Sequence, residues 1–234
     1  MKKKSLDNIR LTPVQPQAEQ HSPVPIHCRV LIVSEGTKTE SNYFKSFHMM
    51  QHGGIVFEIE NKGEGINTLQ VVEKAIQIRD HAVSMDHPYD SVWAVFDKDD
   101  FADVQFNEAI ELAQRNGINA AWSNEAFELW YVLHFCYRNT PMSRAEYQGD
   151  ITTRVNAANY PKHAYQYRKN ATDSHAIMSQ YGDEAAAIRN AERLHRTYTD
   201  HRYATHNPCT TVYQLVRLLR GEDQAFNAQI IATI

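Results

Sequence analysis

The 234-residue chain is 42% hydrophobic and carries a formal charge of −4, which is enough apolar side chain for one good core and too little length for two independent ones. No run approaches the roughly 18 apolar residues of a membrane helix, and the basic start MKKKSLDNIRLTPVQPQ has no apolar stretch behind it, so a cytoplasmic protein with no membrane span is expected. Cys28, Cys136 and Cys209 stand far apart with no CxxC, which argues against a disulfide framework or a zinc site.

Residues 1–27 mix Lys, Gln, Pro and Ser with few apolar side chains, so a mobile tail is expected there. Arg29 to Val33 is a short β-branched run that ends at Ser34-Glu35-Gly36, the pattern of a buried strand entering a tight turn. From Thr39 to Met50 the spacing of Tyr43, Phe44, Phe47 and Met50 predicts a helix. Ile55 to Ile59 reads as a second strand, and after Gly63-Glu64-Gly65 comes a helix with Leu69, Val72, Ala75 and Ile76 on its apolar face. Ser91 to Phe96 is the clearest strand and runs directly into Asp97-Lys98-Asp99-Asp100. A helix from Val104 to Arg115 stopped by Gly117, a strand from Ile118 to Trp122, and a helix from Ala126 to Phe135 capped by Ser123 or Asn124 follow. Strands alternating with helices in this way predict a mostly parallel sheet flanked by helices, an α/β core over residues 28–137.

Residues 138–206 break the rhythm: they are rich in Tyr, Arg and His, with one helical stretch near Glu184 to His195, and are expected to form a basic, mainly helical or loop insertion. Residues 207–234 are expected to be a C-terminal helix packing on the core through Val212, Leu215, Val216 and Leu219. Acid is unevenly spread. Residues 28–137 hold 17 acidic side chains against 8 basic ones, while residues 138–206 hold 10 basic against 7 acidic. Carboxylates crowded without cations between them would be costly, and metal ions are one remedy.

In an open parallel sheet, ligands sit beyond the carboxyl ends of the strands. Glu35 follows the first strand and Asp97 and Asp99 follow a later one, so the fold would bring them to one edge. If extended geometry continues through Asp97 and Asp99, their side chains point the same way and Lys98 points elsewhere. Such a set suits Mg²⁺ or Mn²⁺, whose chemistry is assisted attack on a phosphodiester, with Glu35 as acid or base and Gly36 letting backbone approach a phosphate. An acidic residue in a turn is by itself ordinary, because Asp bonds neighbouring amides. Two such turns at corresponding strand ends say more.

Four segments appear in order: Val33-Ser34-Glu35-Gly36-Thr37-Lys38-Thr39-Glu40-Ser41-Asn42-Tyr43-Phe44; Val95-Phe96-Asp97-Lys98-Asp99-Asp100-Phe101; Ser123-Asn124-Glu125-Ala126-Phe127-Glu128-Leu129-Trp130 with Leu133-His134-Phe135; and Asn207-Pro208-Cys209-Thr210-Thr211-Val212. Together they resemble the RloB family, which is itself similar to Toprim domains. The resemblance implies that Glu35 falls on the Toprim glutamate, Glu40 on the second acidic position of that motif, and Asp97 and Asp99 on its DxD. Glu125 departs from the pattern, standing where the family's segment has proline. The resemblance further implies a Toprim-like fold and a Mg²⁺- or Mn²⁺-dependent nuclease acting on RNA, perhaps tRNA, or DNA. It also implies a role in bacterial defence against phage beside an ATPase partner.

Other residues divide between chemistry and packing. Glu128 could complete a metal site near Asn124, or be a buried partner among Phe127, Leu129, Trp130 and Leu133. The segment Tyr160 to Asn170 interleaves aromatics with cations, so Lys162, His163, Tyr165, Tyr167, Arg168 and Lys169, with Lys38, are candidate nucleic-acid contacts; a solvated loop is the plain alternative. His134 and His163 are candidates for proton transfer. No GxxxxGK[ST] occurs, so ATP hydrolysis would have to come from another chain. The rival to a nuclease is a non-catalytic subunit that binds nucleic acid or a partner.

Overall fold

A computed structural model describes residues 26–47, 50–52 and 55–233. Of the expected tail, residues 1–25 lie outside the described ones, and Ile26 and His27 already belong to the first strand. The order is β1 (Ile26–Ser34), α1 (Thr39–Lys45), β2 (Met50–His52), β3 (Ile55–Gly63), α2 (Thr68–Ser84), β4 (Ser91–Asp97), α3 (Asp103–Arg115), β5 (Asn119–Asn124) and α4 (Glu128–Leu133). It continues through α5 (Arg144–Ala157), α6 (Ser174–Tyr181), α7 (Glu184–His195), β6 (Cys209–Thr210), α8 (Val212–Leu219) and α9 (Gln224–Ala232). Single 3-10 turns lie at Pro161–His163 and Tyr203–Thr205. Among the described residues no helix is long and apolar enough to cross a membrane.

The strands form one sheet in the order β2-β3-β1-β4-β5-β6. The four inner strands are parallel and both edge strands are antiparallel, so this is the α/β architecture that the alternation of elements predicts. Successive residues of β1 enter opposite layers: Val30 and Ile32 pack with Tyr43, Phe44 and Trp130, while Leu31 and Val33 pack with Val71, Val72 and Phe106. All four are fully buried, because a parallel strand is covered on both faces, and each contributes about 1.5–3 kcal/mol by leaving water. The chain leaves β1 toward β3 on one side and crosses back to β4 on the other. The crevice between the carboxyl ends of β1 and β4 is therefore a topological switch point.

Several expectations are corrected. Helix α1 ends at Lys45, and Met50 opens the edge strand β2 opposite Phe57. The aromatic spacing outlasts the helix because Phe47, in the turn that follows, still belongs to the core. Ser123 and Asn124 close β5 instead of capping a helix; Asn124 donates through Nδ2 to Ala204 O at 2.9 Å, and α4 begins at Glu128 with no side-chain cap. Residues 138–206 hold α5 and α6 as well as α7, and Tyr147, Ile151 and Val155 are wholly buried in the same layer as Trp130 and Leu215. The C-terminal segment supplies a strand and two helices instead of one helix: Thr210 pairs with Ser123, and Thr211 Oγ1 accepts from Trp122 N at 2.9 Å.

Candidate carboxylate centre

Register places the acidic turns side by side. Ser34 lies opposite Val95, so Glu35 leaves β1 just where Asp97 ends β4. Glu35 N donates to Val95 O at 2.9 Å, and Asp97 N donates to Glu35 Oε2 at 3.4 Å. The turn is held from the other side by β3, where Glu64 N donates to Ser34 O at 3.0 Å and Gly65 N to Glu35 O at 2.8 Å. Two glycines make the approach feasible. A Cβ on Gly36 would lie 2.2 Å from Glu40 Oε2, and one on Gly63 would lie 2.8 Å from both Gly36 O and Thr37 Cα. Gly36 therefore leaves room for the Glu40 carboxylate, and Gly63 for the backbone of the turn.

Asp97 and Asp99 come together by a route other than strand alternation. Asp99 has left the strand and has φ +42°, with its N–H donating to Glu125 O at 3.0 Å. What unites the pair is Arg144, the first residue of α5. Its Nη1 donates to Asp99 Oδ2 at 2.8 Å, its Nη2 to Asp97 Oδ2 at 3.2 Å, and its Nε lies 3.8 Å from Glu128 Oε2. Lys98 does point away, pairing with Asp103 at 3.2 Å. Glu35, Glu40, Asp97, Asp99, Arg144 and Lys169 line one cleft of about 360 Å³, with Lys38 at its exposed rim.

Burial governs the charges here. It raises the Glu35 carboxyl to about 7, with Glu40 and Asp99 adding repulsion. Asp97 and Glu40, both 6% exposed, are also pushed up, first by burial and then by neighbouring carboxylates, Glu128 among them. Arg144 opposes these shifts without reversing them, and is itself held protonated by Asp97, Glu128 and Asp99 against the effect of burial. Glu128 is 1% exposed and accepts from the Tyr167 hydroxyl at 3.1 Å and Gln148 Nε2 at 3.3 Å. Its partners are thus Arg144, Tyr167 and Gln148, with Asn124 engaged at Ala204.

Among the described residues, no three carboxylate, histidine or cysteine side chains form a ready-made metal cluster. The residues nonetheless fit a hard cation in donor chemistry. All candidates are carboxylate oxygens, and Asp97 Oδ1 is buried with no hydrogen-bond partner, an acceptor left over by the Arg144 pairing.

The basic segment divides. Tyr167 is 8% exposed and gives its hydroxyl to Glu128, so its ring is core and does not offer a face for stacking. Tyr165 is half-buried against Tyr160, with centroids 5.3 Å apart. Lys162, His163, Arg168 and Lys169 are exposed; His163 Nδ1 lies 2.7 Å from Asn156 O, and Lys169 reaches the cleft because its carbonyl accepts from Thr39 Oγ1 at 3.0 Å. His134 is 3% exposed, bonds Trp130 O through Nδ1 at 2.9 Å, and is removed from the candidates for proton transfer by its burial.

Arg144 is the residue that sequence reasoning missed. Two signals for it existed. Ser143-Arg144-Ala145-Glu146 matches the S-x-x-E capping box, which forms in full and starts a helix at Arg144. The acidic excess of residues 28–137 also calls for cations, which the basic segment 138–206 supplies.

A search of curated proteins and a search of solved structures each returned no match. A family model described as RloB-like protein matches residues 30–219, a span that runs from β1 through α8 and takes in both acidic turns and Arg144. The chain therefore belongs to the RloB-like protein family.

Proposed function

We propose that this protein is a divalent-cation-dependent phosphodiesterase that hydrolyses nucleic acid. The observation that carries the reading is the meeting of Glu35 with Asp97 at the switch point of the sheet, beside a buried and unpartnered Asp97 Oδ1. Asp97, Asp99, Glu35 and Glu40 would hold the ion, with Glu128 behind Arg144. When bound, Mg²⁺ or Mn²⁺ supplies polarisation of the phosphoryl oxygen and stabilisation of the departing oxygen.

The chain's own residues do the rest. Glu35, just beyond the end of β1 with its carboxylate 3.4 Å from Asp97 N, is placed to take or give a proton as water adds to phosphorus and the bond to the leaving oxygen breaks. Lys38 and Lys169 stand at the cleft as phosphate-binding cations. Lys162 and Arg168 extend the basic surface beyond it. The choice of RNA or DNA as target, the ATPase partner and the defence role rest on the resemblance alone, the cytoplasmic setting rests on the apolar runs and cysteine pattern of the sequence, and all belong to the same proposal.

The test is degradation of RNA and DNA by purified protein with Mg²⁺ or Mn²⁺, alone and with an ATPase of the kind that the resemblance implies as partner. Glu35→Gln and Asp97→Asn should each lower the rate at least about 100-fold while leaving the fold intact. Full activity in both variants would sink the proposal. The rival reading is a nucleic-acid-binding subunit whose carboxylates are neutralised by Arg144, which the three contacts of that residue favour. It predicts no Mn²⁺ affinity that depends on Asp97.

A further inference from the structure

Arg144 occupies the position of a cation among acids. Among the described residues no other Lys or Arg pairs with Asp97, Asp99 or Glu128. We infer that Arg144 is an internal counter-cation that competes with a divalent ion for Asp97 and Asp99, so that the ion binds only as the guanidinium leaves. The inference rests on the metal-dependent reading above.

The pairing is incompletely satisfied on both sides. Arg144 Nε is buried with no hydrogen-bond partner, since Glu128 Oε2 stands off at 3.8 Å, and Asp97 Oδ1 is equally orphaned. Buried polar atoms without partners weaken the state that contains them. Departure of the guanidinium would let Arg144 Nε regain water and free both oxygens of Asp97 for an ion of twice the charge.

The movement needs no rearrangement of the fold. The capping box at the start of α5 fixes the backbone: Ser143 N donates to Glu146 Oε2 at 2.7 Å and Glu146 N to Ser143 Oγ at 3.4 Å. Tyr147, Ile151 and Val155 bury the helix behind it. The long arginine side chain is 23% exposed and already lines the cleft, so rotation about its own bonds carries it toward solvent. A guanidinium keeps its charge at any ordinary pH, so proton loss offers no other exit.

Calorimetric titration with Mn²⁺ alone, on the full chain, tests this. Arg144→Gln should bind at least about tenfold more tightly than wild type and gain more thermal stability from the ion, with Arg144→Lys between them. Asp97→Asn should abolish binding in either background. Equal or weaker affinity in Arg144→Gln, with the wild type binding, overturns the inference and leaves the metal-dependent reading standing. No binding by either protein overturns that reading, and this inference with it. Should Arg144→Gln fail to fold, arginine-selective labelling of the wild type with phenylglyoxal decides. Arg144 should label faster when Mg²⁺ is added, and unchanged or slower labelling at saturating ion overturns the inference.

Discussion

The Tyr167 hydroxyl donates to Glu128 Oε1 at 3.1 Å, so a tyrosine of the basic segment forms part of the wall behind the carboxylate centre. Tyr167→Phe removes that bond and leaves Gln148 and Arg144 as the remaining partners of a buried acid. The variant should lose about 1–2 kcal/mol in urea denaturation. Its affinity for single-stranded nucleic acid should equal that of wild type. Weaker binding with unchanged stability would return Tyr167 to the nucleic-acid interface.

The exposed cations of the same segment should behave oppositely. Replacing Lys162, Arg168 and Lys169 together by Ala removes three charges from residues whose side chains face solvent. Stability should move by less than about 1 kcal/mol. Nucleic-acid affinity should fall, and the slope of log affinity against log salt should flatten by about 2, since each phosphate contact on a single strand contributes about 0.7. An unchanged slope would place the docking face elsewhere.

Gly63 is predicted to control the centre from outside it. Its α-carbon faces backbone, and the Cβ of Gly63→Ala would lie 2.8 Å from Gly36 O and from Thr37 Cα, where no flexible side chain can yield. The turn that carries Glu35 must shift, at a cost of about 1–3 kcal/mol. If the proposed hydrolysis is correct, its rate should drop more than tenfold with Lys38 and Lys169 intact. Wild-type rates in Gly63→Ala would show that the turn tolerates displacement.

His134 should make stability depend on acid. Burial holds its imidazole down to about 4 from the ordinary 6.5, so the folded protein excludes a proton that the unfolded chain accepts between those values. The contribution is complete above the unfolded pKa and is lost as pH falls toward the folded one, reaching on the order of 3 kcal/mol. His134→Gln should flatten the stability profile from about pH 6.5 to about pH 4, measured by urea midpoints. An equally steep profile would assign the acid sensitivity to other groups.

The sheet was legible because its information is local. The apolar runs ending at Ser34 and Phe96 are strands whatever surrounds them, and both break into acidic turns. Alternation with helices then implies parallel pairing, and parallel pairing puts Glu35 and Asp97 on one edge. Helices α5 and α6 were less legible. Each buries a narrow stripe, Tyr147-Ile151-Val155 and Ile177-Met178, under a polar remainder that reads as surface.

The amino-acid order by itself determined the fold class, the positions of the two acidic turns and the presence of a basic segment, since each follows from short-range periodicity and turn chemistry. Only the tertiary structure decided which charges meet. Packing of α5 against α4 delivers Arg144 to Asp97 and Asp99, and the burial of Tyr167 turns an expected stacking residue into a hydrogen-bond donor for Glu128. Charge pairing depends on distance and burial through space, and neither is written in the spacing of residues along the chain.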